Sequence, residues 1–143
     1  MNLYDAEMAI KQRWMTLWHT LVGGTQAAPA IPYVFDNDVQ DSVVTTYARV
    51  SVTSNGSLKL TVGNQSKKRR LLIVAVKLNG PVNAGSKGVS QLVPHVQTIF
   101  EEKRFGGVGI SDGVVCEIMK PYGGSSDGRF WTMLLTFDAH FIE

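Results

Sequence analysis

The side chains able to bind a metal, attack a substrate or carry a proton are few in this chain, and they stand apart. The histidines are His19, His95 and His140, and the single cysteine is Cys116. No histidine lies within the short spacing of another histidine or of Cys116 that a zinc site uses, so each is read as a surface or half-buried side chain. Cys116 falls inside the apolar run Val114, Val115, Ile118 and Met119, which predicts a buried structural thiol rather than a nucleophile. A lone cysteine cannot close an internal disulfide, and its use fits a reducing cytosol. Asp36-x-Asp38 resembles the opening of a calcium loop. Asp41 and Tyr47 then occupy the sixth and twelfth positions, where glycine and glutamate are needed. Gly106-Gly107-x-Gly109 follows a predicted helix and precedes a predicted strand, the reverse of a dinucleotide fingerprint. No carboxylate pair sits in an apolar setting suited to acid–base work. The residues point to no enzyme, metal or cofactor.

Charge is modest overall and concentrated locally. The net charge is +2 and the sequence pI about 8.8, too little to indicate nucleic acid by itself. Lys67, Lys68, Arg69 and Arg70 nevertheless form an unbroken basic run, and Asp36, Asp38 and Asp41 form an acidic stretch. The N-terminus carries Asn2, Tyr4, Asp5 and Glu7 instead of a basic segment and an apolar core, so no signal peptide is expected. No apolar run reaches the roughly 20 residues of a membrane helix, and no membrane partner is expected.

These side chains need a framework, and 143 residues with 44% hydrophobic content suit one domain spanning 1–143. Ala6, Ile10, Trp14, Leu17, Trp18 and Leu21 recur every three or four residues, predicting a helix from about Leu3 to Val22 that ends at Gly23-Gly24. Residues 25–42 read as irregular. Ala48, Val50 and Val52 alternate with polar residues as in a strand. Asn55-Gly56 then signals a hairpin turn, and Leu58, Leu60 and Val62 continue the alternation. Six apolar residues, Leu71 to Val76, predict a strand covered on both faces. A second helix is expected from near Ser86 or Ser90 to Arg104, closed by Gly106-Gly107. Pro94 requires that it start near that residue or kink there. Val108 to Ile110 and Val114 to Met119 flank a turn at Ser111-Asp112-Gly113. A last strand places Trp131, Met133, Leu135, Phe137, Ala139 and Phe141 on one face. The small residues of Val82 to Gly88 and of Gly123 to Asp127 predict mobile loops; Asn83, Ser86, Lys87, Ser125, Ser126 and Asp127 are candidates to contact a neighbour. The class is α+β: a mostly antiparallel sheet with two helices packed on it, in the order α-β-β-β-α-β-β.

Taken in order, these features resemble the tail terminator, or tail completion, proteins of long-tailed bacteriophages. The likeness is carried by the first helix and its proline-containing exit loop, then by Val34-Phe35-Asp36-Asn37 and Tyr47-Ala48-Arg49-Val50-Ser51-Val52. It continues through Lys67-Lys68-Arg69-Arg70 leading into the central strand, Glu117-Ile118-Met119-Lys120-Pro121, Asp127-Gly128-Arg129-Phe130-Trp131 and the aromatic last strand. Pro94 and the Asn55-Gly56 turn depart from the family pattern. The resemblance implies a structural virion protein made in the host cytoplasm. It would form a homo-oligomeric ring, commonly a hexamer, at the head-proximal end of the tail tube. There it would stop tube polymerisation, meet the tail tube protein and dock the head-side neck or connector protein. A head-to-tail ring needs two complementary patches per subunit. Three roles stay open for the charges. The acidic stretch and the basic run could meet across an interface, the basic run could face DNA in the lumen without reading sequence, or both could be solvated loops. Other functions also stay open: another neck or tail tube subunit, or a small cellular ligand-binding or enzymatic domain.

Overall fold

A computed structural model of the chain describes residues 1–36, 45–60, 67–81, 87–107, 113–126 and 130–143. The first helix, α1 (Leu3–Val22), starts on a reciprocal cap: the Asp5 amide donates to Asn2 Oδ1 (2.8 Å), and the Asn2 amide donates to Asp5 Oδ2 (3.3 Å). Gly23 ends it. Its stripe of Ala6, Ile10, Trp14 and Trp18 is fully buried, with Leu17 and Leu21 packed at the margin.

The strands are β1 (Tyr33–Phe35), β2 (Tyr47–Lys59), β3 (Lys68–Pro81), β4 (Arg104–Phe105), β5 (Val114–Met119), β6 (Gly124–Ser126) and β7 (Phe130–Ile142). Two further helices, α2 (Lys87–Ser90) and α3 (Val93–Phe100), lie between β3 and β4. The fold is α+β, with the strands in one curled, half-barrel sheet ordered β1-β2-β3-β7-β5-β4, and β6 beside β7. Only β1 against β2 is parallel among these pairings.

The element order differs from the expected one, and each difference has a physical cause. Asn55-Gly56 makes no hairpin. Ser54 pairs with Leu72 and Ser57 with Arg70, so β2 runs straight through with one extra residue opposite β3. This is a β-bulge, and Gly56 (φ +102°) takes the left-handed backbone it needs. The turn signal and the bulge draw on the same property of glycine, and only the long partner strand β3 decides between them. The irregular segment before β2 contains β1, whose three residues pair with Ala48, Arg49 and Val50.

The second helix divides at Pro94. This residue lies in the first turn of α3, where its missing N–H costs little, and α2 stands before it as a separate turn. Helix α3 stops at Phe100, short of Arg104. Glu102 then turns left-handed (φ 55°), and Arg104 and Phe105 pair with Val115 and Val114. The predicted strand at Val108 to Ile110 and the turn residues Ser111 and Asp112 lie outside the described residues. Gly124 to Ser126, expected in a loop, is strand β6 paired with Trp131 to Met133.

The core lies between the helices and one sheet face. Val50, Leu72, Val74, Val76, Leu78, Leu135, Phe137, Ala139 and Phe141 are buried there together with α1 and α3. Trp14 stacks on Trp18 (ring centroids 4.3 Å) and on Phe100 (6.1 Å), tying α1 to α3. Trp18 donates its indole N–H to the Ile31 carbonyl at 2.9 Å, anchoring the exit loop. Gly80 admits α2 onto β3, because a Cβ there would meet Val89 Cγ2 at 2.7 Å.

Truncating a buried indole at the junction of α1 and α3 should cost about 3–5 kcal/mol, a large part of a typical 5–15 kcal/mol stability. Trp14→Ala is expected to lower the melting temperature by roughly 10 °C or more. Calorimetry showing an unchanged transition would mean that this stripe does not carry the core.

Candidate assembly surface

Strand geometry divides the basic run between two faces. Arg70 is registered with Phe141, on the face packed under the helices, whereas Arg69 is registered with Ile142 and shares the opposite face with Leu71 and His140. Arg70 ion-pairs with Glu143 of the same chain, and both side chains stay well exposed, at 38% and 40%. Exposed pairs of this kind contribute little stability. The hydrogen bond from Arg70 is the main cause holding the Glu143 carboxyl below its usual range. Lys67 and Lys68 are exposed. Their carbonyls accept from the amides of Leu60 (2.9 Å) and Glu143 (2.9 Å), which fixes the backbone of the run. Glu143 carried no sequence signal of its role, since only the β3–β7 register brings it beside Arg70.

Asp36 is used inside the subunit. Its Oδ2 accepts the Val52 amide at 3.2 Å, and its carbonyl accepts from Arg49 Nη1 at 3.4 Å. The carboxylate thus takes up a β2 donor just beyond the three β1 pairings. Asp38 and Asp41 lie outside the described residues, as do Asn83, Ser86 and Asp127, and the side chain of Lys87 is likewise outside them. Ser125 and Ser126 are exposed on β6. The structure therefore brings Arg69 and Arg70 into defined surroundings, and it does not bring Asp36 to the basic run.

The two faces of the apolar run Leu71–Val76 differ in burial. Leu72, Val74 and Val76 are buried, while Leu71, Ile73 and Ala75 on the opposite face are partly exposed. Leu134, registered with Lys77 beside this face, is 49% exposed. Beyond the bulge, β2 is exposed on both sides and presents Leu58, and Leu60 follows it. Together these residues form an apolar, partly charged surface running from the middle of the sheet into the β2–β3 arm.

Where the arm meets the sheet lies a cavity of about 260 Å³ lined by Asn55, Leu58, Arg69, Leu71, Glu117, Asp138 and His140, among others. His140 Nδ1 contacts Glu117 Oε1 at 3.5 Å. Lys120 Nζ approaches Asp138 Oδ1 to 3.0 Å, though not in hydrogen-bond alignment. The Nε of Arg69 is buried and finds no hydrogen-bond partner among the described residues. Alternation along β7 placed His140 on this face in the sequence. Its grouping with Arg69 and Glu117 needs three strands in register. Cys116, on the core side, has its thiol pushed up to about 12 by burial, as expected of a structural cysteine.

Burial, helped by Arg69 and Arg104, moves the His140 pKa below its ordinary 6.5, and the Glu117 carboxylate opposes this only in part. The unfolded chain therefore binds the proton more readily than the folded one. The stability this histidine allows is complete above pH 6.5 and falls as the pH drops below it. Denaturant titrations at pH 7.5 and 5.5 should show that loss, and His140→Gln should reduce it; an identical pH dependence in the variant would refute the assignment.

Comparison with known proteins adds fold information alone. No family model matches the chain, and no curated protein matches it. Solved structures do match. One, 15% identical in sequence, aligns over 99% of this chain and 96% of its own length with a TM-score of 0.71. A likeness at that identity shows the fold.

Proposed function

We propose that this chain is a structural subunit of a phage tail: a tail terminator that assembles into a ring, commonly of six copies, on the head-proximal end of the tail tube. In this reading the ring stops tube growth and receives the head-side neck protein. The observation that carries the proposal is the unequal burial of the central strand's two faces. Leu71, Ile73 and Ala75 are apolar side chains of a strand whose sequence suits burial on both faces, yet they stay partly exposed while Leu72, Val74 and Val76 on the other face are buried. A neighbouring copy supplies the missing cover. The exposed Leu58 and Leu60 on the arm extend the same surface outward. The order of sequence features that resembles tail terminators gives the assembly its setting. Because Asp36 is engaged by Val52, any acidic partner for the basic run in a neighbouring copy is sought at Asp38 and Asp41.

A second reading, a small ligand-binding domain, draws on the cavity at Arg69. Oligomeric state separates the two.

Native mass spectrometry is expected to find a closed oligomer, and the protein should shorten tubes grown in its presence. Leu134→Lys combined with Ile73→Thr should leave a folded monomer, with the melting temperature changed by only a few degrees, that no longer limits tube length. A wild-type chain that stays monomeric and does not affect tubes would remove the proposal.

A further inference from the structure

Arg69, His140, Glu117 and Asp138 line the cavity beside the arm, and Lys120 reaches Asp138 from outside the lining. Glu117 is in contact with His140, and Asp138 with Lys120. Arg69 lines the same cavity, its Nε is withdrawn from solvent without a hydrogen-bond partner among the described residues, and the aliphatic side chains of Leu58 and Leu71 stand beside it. Arg104 adds positive field from β4. A desolvated guanidinium N–H left without a partner is costly, and an oxyanion able to accept from it would recover that cost.

The same surroundings select the anion. The planar guanidinium fork matches a carboxylate. Glu117 and Asp138 would repel the second charge of a phosphate dianion. Leu58 and Leu71 offer apolar wall to a methylene stem. We propose that this pocket is a binding site for a monoanionic carboxylate carried on a short aliphatic stem, held by Arg69. Two sources share that chemistry: a free short-chain acid, and a glutamate side chain from a second copy of the chain. The site stands independently of the ring reading, since its chemistry is tested on the dilute chain.

The test is an NMR titration of the isotope-labelled full chain, following the Arg69 Nε–H and His140 ring signals. Sodium butyrate should shift both saturably, sodium chloride at equal ionic strength should not, and acetate should bind roughly tenfold more weakly for the loss of two buried methylenes. Arg69→Gln should abolish saturation while the remaining spectrum is retained. Arg69→Lys, which keeps the charge and loses the fork, should weaken butyrate several-fold and guards against a folding defect in the first variant. Glu117→Gln should tighten binding by removing a competing charge. An Arg69 signal already shifted at high protein concentration, returning on dilution, would identify a second copy as the source. Saturation by butyrate with no such concentration dependence would identify a free acid. A linear response to butyrate, equal affinity for inorganic phosphate, or undiminished binding in Arg69→Gln would overturn the proposal.

Discussion

Burial of the paired indoles of α1 against one side of a single sheet is the constraint on which the rest of the molecule depends. Trp14 and Trp18 occupy successive turns of the helix, and their stacked rings fill the space between α1, α3 and the inner ends of the strands. Two large aromatics on one stripe can be buried only if the sheet beneath them presents a broad, continuous apolar face. Strands β2, β3, β7 and β5 supply that face by alternation, each contributing every second side chain. Once one face is committed to the helices, the opposite face is defined by default, including the half-exposed Leu71 and Ile73 and the polar groups around His140.

Strand β3 links core and surface. It pairs with β2 on one side and along its length with β7 on the other, so its register fixes both neighbours. A shift of one residue would exchange Leu72 and Val74 for Leu71 and Ile73 under the helices and would move Arg69 to the core side. The same register brings the C-terminal Glu143 beside Arg70 and His140 beside Leu71. The basic run is therefore two different things. One part lies at the open end of the core face and is paired by Glu143. The other is Arg69, set into the cavity on the far face.

The surface features share a physical origin in incomplete satisfaction. A β-branched and leucine-rich strand with one face partly exposed, an arm bearing exposed leucines, and a guanidinium N–H without a hydrogen-bond partner among the described residues each leave unspent interaction capacity at the surface. In the proposed ring, such capacity would be realised across interfaces. Features whose needs are met internally, such as the Asp36 carboxylate holding the Val52 amide, are correspondingly poor candidates for recognition.

The sequence alone determined the elements whose signals are local and repeated. The stripe of α1 follows from spacings of three and four, its end from Gly23-Gly24, and the inward face of β7 from alternation over eleven residues from Trp131 to Phe141. Tertiary structure decided everything that depends on a distant partner. Asn55-Gly56 is a bulge because β3 continues past it, and β1 is a strand only because β2 lies beside it; three residues hold too little information to declare themselves. The six apolar residues of β3 predicted two covered faces; how fully each is covered depends on the layers that pack on the sheet, and Leu71, Ile73 and Ala75 are less buried than Leu72, Val74 and Val76. Arg69, Glu117 and His140 come from three strands distant in sequence, and only the pairing energy of the whole sheet sets them around one cavity.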